Sequence, residues 1–201
     1  GPKVTKFNVG QNVGVGCLVD SCRTCSACAN EEENYCLNGF VGTYNSVDPH
    51  IPEHRTYGGY SESIVVNEDF VLNIPEGADL ASTAPLLCAG ITVYTPLMNA
   101  GVKEGTRVGV LGVGGLGHCA IKIARALGAH VVGFTSKESK REELLKLGAH
   151  EVVVGSAPEA LAPYTTSLNV IINTISAVID IVPYLGLLAL KGEFVCVGAP
   201  P

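Results

Sequence analysis

Long apolar runs, a basic patch and a secretory leader are all missing from this sequence, and each absence removes a class of function. The most apolar stretch, Val178 to Leu190, is short and holds Pro183 and Gly186. No bilayer-spanning helix is therefore expected. Lys and Arg number 13 against 19 Asp and Glu, for a net charge of −6, and the cations are scattered. That pattern leaves no footprint for a nucleic acid. With no secretory signal at its head, the chain is expected to be cytoplasmic. Tryptophan is absent, yet 47% of the 201 residues are hydrophobic. A buried core is within reach, and the composition is far from that of a disordered chain. This length predicts one domain or two partial ones.

What the sequence has in abundance is glycine and cysteine, with 24 Gly and 8 Cys. The organising stretch is Arg107 to Ser136, RVGVLGVGGLGHCAIKIARALGAHVVGFTS. Arg107 to Leu111 is a short β-branched run, as in a buried strand. Gly112, Gly114, Gly115 and Gly117 follow. Ile121, Ala124 and Leu127 then recur at helical spacing until Gly128, and His130 to Phe134 forms the next strand. A strand, glycine turn, helix and strand in this order form the context of a dinucleotide fingerprint. Gly112 allows the tight turn, Gly114 lets backbone approach a pyrophosphate, and Gly117 lets the helix pack on the strand. The free N–H groups opening the helix face the phosphates.

The end of the second strand selects the dinucleotide. An NAD site places Asp or Glu there for the ribose 2′-hydroxyl. Here the strand ends in Thr135, Ser136 and Lys137, with Lys140 and Arg141 beyond. Hydroxyls and cations suit a 2′-phosphate, which favours NADP(H). Lys140 and Arg141 also fit an ordinary solvated helix start, and Glu138 opposes the NADP reading if its loop turns toward the ribose.

Elsewhere the pattern predicts short β structure over Gly1 to Gly16 and strands at Ser61 to Val66 and Phe70 to Ile74. Asp79 or Ser82 can cap a helix running to Thr95. After the glycine unit, strands are expected at Glu151 to Val154, Leu168 to Asn173 and Glu193 to Val197. Helices are expected at Lys140 to Leu147, Pro158 to Tyr164 and Ile179 to Leu190. The fold class is α/β, with a doubly wound parallel sheet of five strands near Arg107, His130, Glu151, Leu168 and Glu193. The Rossmann fold has six, so the last strand is expected to lie beyond Pro201.

Cys22, Cys25, Cys28 and Cys36 are spaced C-x2-C-x2-C-x7-C. Four thiolates this close can wrap one tetrahedral zinc with no open position. The first two gaps also fit an iron–sulfur run, but the seven-residue gap and Leu37 depart from it. Four unligated small hydrophobes is the remaining reading. Cys17 reads as a packed strand residue rather than a ligand. Cys88 stands in PLLCAGITVY, where a lone thiol is ordinarily core.

Several pieces in order, VGVGCLVDSCRTCSACANEEENYC, GFVGTYN, YGGYSESIVV, APLLCAGITVY, LGVGGLGH and KLGAHEVV, resemble the zinc-dependent medium-chain alcohol dehydrogenases. The likeness is to their cinnamyl alcohol dehydrogenase-like branch, and it covers nearly the whole chain. It implies a partial GroES-like catalytic domain over residues 1–80 and a Rossmann dinucleotide-binding domain over 81–201. The activity implied is alcohol–aldehyde interconversion with NADPH. By motif position it implies structural-zinc ligands at Cys22, Cys25, Cys28 and Cys36, a catalytic-zinc ligand at Cys88, and a contact near the nicotinamide at Thr92. It places the pyrophosphate on Gly112, Gly114, Gly115, Leu116 and Gly117, and the 2′-phosphate on Thr135, Ser136 and Lys140. Thr174 with Val197, Gly198 and Ala199 is implied to line the nicotinamide side.

The family's other catalytic-zinc ligands, a Cys and a His-Glu pair, have no match in this sequence. His50 and His54 lie in a polar loop, and His118, His130 and His150 are not placed as ligands. The chain is accordingly expected to be an internal fragment, inactive alone, of a protein whose relatives are homodimers. The alternatives are a non-catalytic NADP(H)-binding protein or a zinc-lobe interaction module, and Glu31, Glu32 and Glu33 set the latter against nucleic acid. A zinc-free quinone reductase would have no use for the four cysteines or Cys88. The substrate stays open among alcohols and aldehydes.

Overall fold

The computed structural model describes residues 1–47 and 54–199, so His50 lies outside the described residues. The chain divides into two compact units, Gly1–Cys88 and Ala89–Pro201. The sequence-based division stands eight residues earlier, at 80/81.

The first unit is built from short antiparallel pairs. Strand β1 (Val13–Val15) precedes β2 (Leu18–Asp20), helix α1 (Ser26–Ala29), β3 (Val41–Gly42), β4 (Tyr44–Val47), β5 (Arg55–Tyr57) and β6 (Val71–Asn73). β1 pairs with β6, β2 with β3, and β4 with β5. Before β1 the chain is tied down by side chains rather than by a ladder. The Glu68 carboxylate accepts the Thr5 and Lys6 N–H groups at 2.8 and 2.9 Å. The β structure predicted over Gly1 to Gly16 is thus confined to Val13–Val15. The strand predicted at Ser61 to Val66 is absent: the segment has no ladder partner among the described residues, and Val65 is fully exposed. Alternation supplies a face for a strand, but only a neighbour completes its hydrogen bonds.

Asp79 caps α2 (Leu80–Thr83), accepting the Ser82 N–H at 2.9 Å. The predicted helix to Thr95 does not continue unbroken. Pro85 enters the first turn of a 3-10 segment, Ala84–Leu87, which ends at Cys88 with φ −127°. A new helix, α3 (Ala89–Asn99), then runs past Thr95 through Pro96.

In the second unit, α3 is followed by β7 (Arg107–Leu111), α4 (Gly115–Ala126), β8 (His130–Thr135), α5 (Arg141–Leu147), β9 (Glu151–Val154), α6 (Pro158–Leu161), β10 (Leu168–Asn173), α7 (Val182–Leu185) and β11 (Leu188–Cys196). The five strands form one parallel sheet in the order β11-β10-β7-β8-β9. The order reverses between β7 and β10, and a crevice opens at the carboxyl ends of strands at such a point. Apolar side chains fill both faces of the sheet. On one, Val108, Val110, Val170 and Ile172 pack with Ala120, Ile121 and Ala124 of α4, Val93 and Leu97 of α3, and Leu144 of α5. On the other, Val132, Phe134 and Ile171 meet Leu161, Leu168 and Leu187. Burial on both sides explains why β7, β8 and β10 read as continuous apolar runs, while β11, at the sheet edge, carries Lys191 and Glu193 and is only partly buried.

The predicted helix Ile179 to Leu190 shrinks to α7. Pro183 takes the first turn, Gly186 follows the last residue, and Leu188 already pairs with Leu168 as part of β11. No single helix among the described residues is long and apolar enough to cross a membrane.

Candidate functional site

Two clusters gather most of the residues that the sequence singles out. The first is the cysteine lobe. The ligand atoms of Cys22, Cys25, Cys28 and Cys36 lie within 4.8 Å of one another, the one such group of metal-binding side chains among the described residues. Backbone N–H groups surround the sulfurs: Cys25 and Leu37 donate to the thiols of Cys22 and Cys25 at 3.4 Å, and Cys22 donates to that of Cys36 at 3.5 Å. The N–H groups of Thr24 and Cys25, with the Asn38 side chain, pull the Cys22 thiol down to about 5. The N–H groups of Cys28 and Leu37 lower that of Cys25. At Cys28 the Ser21 hydroxyl favours the thiolate, but desolvation and the Cys25 and Cys36 thiols outweigh it, and the group is pushed up to about 11. Four sulfurs that repel as anions yet are bathed in donors fit a cation at their centre. The donor set suits a closed, four-coordinate zinc and leaves no position for substrate.

The second cluster is a cavity of about 760 Å³ over the carboxyl ends of β7, β8, β9 and β10. Gly112, Gly114, Thr135, Ser136, Lys140 and Thr174 line it. Gly112 turns the chain with φ +77°, and a Cβ there would meet Ile175 at 2.5 Å. Gly114 and Gly115 face open space, with nothing within 4 Å of an added Cβ, so a ligand can come close to their backbone. Helix α4 starts at Gly115 with no side-chain cap, leaving the first N–H groups, at 115–117, without helical acceptors. Thr174 locks the turn: its hydroxyl donates to the carbonyls of Leu111 and Gly112, at 3.0 and 2.5 Å. Lys140 reaches across from the far loop, donating from Nζ to the Val113 carbonyl at 2.9 Å.

Glu138, the acid that opposed the NADP reading, does not line the cavity. Arg141 grips it, Nε to Oε1 at 2.5 Å and Nη2 to Oε2 at 3.2 Å. The cavity does contain residues that the sequence did not mark. Ile175, Ile179, Asp180, Pro183 and Tyr184 form one wall. Ile175 lies in the irregular segment after β10, and the other four fall in the stretch expected to be helical, where nothing in the pattern pointed to a site. Behind the lining, Asn173, buried at the end of β10, supports that wall: its Oδ1 accepts the Ile175 N–H at 3.1 Å. A polar side chain closing an apolar strand was the available clue.

Other expected site residues lie apart from the cavity lining. Gly198 is packed on the Ile175 carbonyl, and the N–H groups of Val197 and Gly198 donate to the Asn173 carbonyl. Ala199 is exposed, and Thr92 is half-buried within α3. Leu116, in the first turn of α4, is partly buried against the core. Cys88 is exposed and belongs to no metal-binding group among the described residues. Its neighbour is the thiol of Cys17, which desolvation and Cys88 hold above the ordinary thiol range. Cys17 is exposed in the bend between β1 and β2, which corrects its assignment as a packed strand residue. His130 binds Glu151 at 2.6 Å, and His150 accepts the Val131 N–H at 3.0 Å, so both have structural partners.

Residues 115–201 match the zinc-binding dehydrogenase family, and residues 1–76 match the alcohol dehydrogenase GroES-like domain. The chain is 52% identical to a mannitol dehydrogenase of Petroselinum crispum over all of its own length and 59% of that protein. Among solved structures, it superposes with a TM-score of 0.92 on a cinnamyl alcohol dehydrogenase of Sorghum bicolor, at 46% identity over 98% of this chain and 56% of that one. A second, the Helicobacter pylori CAD complexed with NADP(H), gives a TM-score of 0.91 at 41% identity over 98% and 55%. The chain thus spans little more than half the length of the relatives it matches.

Proposed function

This chain belongs to the zinc-dependent medium-chain alcohol dehydrogenase family, and we propose that its cavity binds NADP(H) in the service of an oxidoreductase that interconverts primary alcohols and aldehydes. The observation that carries the reading is the cavity at the end of β8, where hydroxyls and ammonium groups stand in place of a carboxylate. The pyrophosphate goes to Gly112, Gly114, Gly115, Leu116 and Gly117, where uncapped N–H groups offer a site for an anion. The 2′-phosphate goes to Thr135, Ser136 and Lys140. A lysine already on one carbonyl keeps two N–H groups for phosphate oxygens. Thr174, Val197, Gly198 and Ala199, with Thr92, form the nicotinamide side. When bound, the nicotinamide supplies or accepts hydride, and the protein contributes orientation and charge.

Cys22, Cys25, Cys28 and Cys36 hold the structural zinc. Cys88 is assigned to the catalytic zinc by motif. Among the described residues it has one thiol neighbour and no third ligand, so they do not by themselves hold a second metal. This observation favours a second reading, in which the chain alone binds nucleotide without turning substrate over. A cysteine cluster gathered for a metal rather than paired in disulfides accords with a cytoplasmic setting.

The test is a parallel fluorescence titration of the chain with NADPH and NADH, followed by an aldehyde assay. Tighter binding of NADPH by about tenfold or more is expected, the worth of one charge-assisted contact. Equal binding, a preference for NADH, or no binding of either overturns the cofactor assignment. Steady NADPH oxidation with an aldehyde, abolished by chelation, overturns the second reading.

A further inference from the structure

We infer that Arg141 sets the preference for a 2′-phosphorylated dinucleotide, by holding the Glu138 carboxylate away from the cavity. This rests on the reading that the cavity takes NADP(H).

Glu138 is three residues past the end of β8, where an NAD site keeps the acid that binds the ribose hydroxyls. It is the acid in this loop that can serve there. Yet the run that lines the cavity is Thr135, Ser136, Lys137 and Lys140, and Glu138 is left out. The cause is a two-point grip. Arg141 uses Nε and Nη2 on the two separate oxygens of Glu138, and its remaining Nη1 donates to the Val152 carbonyl at 2.8 Å. The guanidinium is thereby anchored to the backbone of β9, and it fixes the carboxylate to the sheet edge. Both carboxylate oxygens are held by the fork, which fixes the direction of the carboxylate away from the cavity lining.

Adjacent cations divide the work. Lys140 points to the glycine turn, at the Val113 carbonyl, and Arg141 points to the acid. The other carboxylate, Asp180, lines the cavity on the wall with Ile175 and Tyr184 and accepts the Val182 N–H on Oδ1 at 3.0 Å at the start of α7. The Glu138–Arg141 pair is largely exposed, at 67% and 42% of the side chains. Such a pair adds little to stability. Its effect is on where a negative charge points. The Arg141 guanidinium keeps the Glu138 carboxyl below the ordinary range, so this group is an anion at neutral pH. Freed to swing toward the ribose, it would repel a 2′-phosphate and accept a hydroxyl. Lysine at 141 cannot reproduce the grip, because a point charge lacks the planar fork.

The experiment measures NADPH and NADH affinity of the full chain, by nucleotide fluorescence, in the wild type, Arg141→Leu and the double variant Arg141→Leu/Glu138→Gln. Arg141→Leu is expected to weaken NADPH binding by about tenfold while moving NADH by less than about threefold, the scale of one solvent-screened like-charge contact. The double variant is expected to return NADPH affinity to within about threefold of wild type. Recovery on removing Glu138 separates a restraining role from general damage to the loop, since Arg141→Leu also loses the Val152 bond. No loss in Arg141→Leu, or equal loss in the double variant, overturns the inference, the second result meaning that Arg141 acts through the loop's architecture or on the phosphate itself and not through Glu138. A wild type without NADPH preference shows a different failure, visible before any substitution: the cofactor reading falls, and this inference with it.

Discussion

A Cβ on Gly117 would stand 2.2 Å from the carbonyl oxygen of Gly112. The glycine turn and the first turn of α4 therefore meet backbone to backbone, and the clash partner cannot rotate away. Gly117→Ala is expected to destabilise the chain by about 2–4 kcal/mol, as overpacking against rigid atoms does. Gly115→Ala supplies the contrast. Its Cβ meets nothing within 4 Å, so stability should move by less than about 0.5 kcal/mol, while NADPH affinity falls because the methyl fills ligand space. Urea denaturation beside an NADPH titration separates the two. Equal stability losses in both variants would contradict the packing argument.

The cysteine lobe predicts a metal stoichiometry. After removal of loosely held ions, elemental analysis should find one zinc per chain, bound by four thiolates. Cys28→Ser and Cys36→Ser should each abolish it and lower the melting temperature, because residues 22–36 are ordered mainly by short helical turns, N–H···S contacts and the exposed pairs of Arg23 with Asp20 and Asp69. Cys88→Ser should leave the content unchanged. A wild type holding two zinc ions would show that Cys88 and Cys17 recruit a ligand set that the described residues do not provide.

How much of this was legible from residues alone follows from what each signal encodes. The parallel strands read correctly because burial on both faces turns them into uninterrupted apolar runs, as in Val170-Ile171-Ile172. The four cysteines read correctly because ligand spacing is local. Ser61 to Val66 misled because alternation reports a face and not a partner. The helix expected from Asp79 to Thr95 missed the break at Cys88, where Pro85 tightens the preceding turn. Cys17 was misjudged because its neighbour, Cys88, is 71 positions away in the chain. The cavity wall at Ile175, Asp180 and Tyr184 was missed because Ile179 to Leu190 read as one apolar helix, whereas α7 covers only Val182–Leu185 and the residues before it are irregular.

Lys140 offers a third prediction. Its ammonium stands at the mouth between the glycine turn and the end of β8, on the Val113 carbonyl. Lys140→Met keeps the apolar stem and removes the charge. NADPH affinity should drop by about tenfold or more, since a charge-assisted contact is worth roughly 1.5–3 kcal/mol. NADH affinity should hold, and the salt dependence of NADPH binding should flatten. A variant that loses both nucleotides equally would place Lys140 in the turn's architecture and not at the phosphate.

The opposite end of the sheet carries a pH dependence. The rings of His130 and His150 stack with centroids 4.3 Å apart, Glu151 binds His130, and the Arg125 guanidinium lies against His150 Nε2. Desolvation, then Arg125, then His130 lower the His150 pKa. The folded value lies below the unfolded one, so as pH falls the unfolded chain takes up its proton first. The contribution to stability is complete above about pH 6.5 and is lost as pH drops through the histidine range. Glu151 is lowered too, chiefly by its bond to His130, and its share is lost further down, in the carboxylate range. His150→Gln keeps an amide near the Val131 N–H and removes the titration. Between pH 7.5 and 5.5 the wild-type melting temperature should fall by about 1–3 °C more than the variant's, a small step because the ring is solvent-screened. Arg125→Gln should shrink the step, since it removes the nearest fixed positive charge. Parallel curves for wild type and His150→Gln across that window would show that the imidazole titrates alike in both states and contributes nothing to the acid lability of this unit.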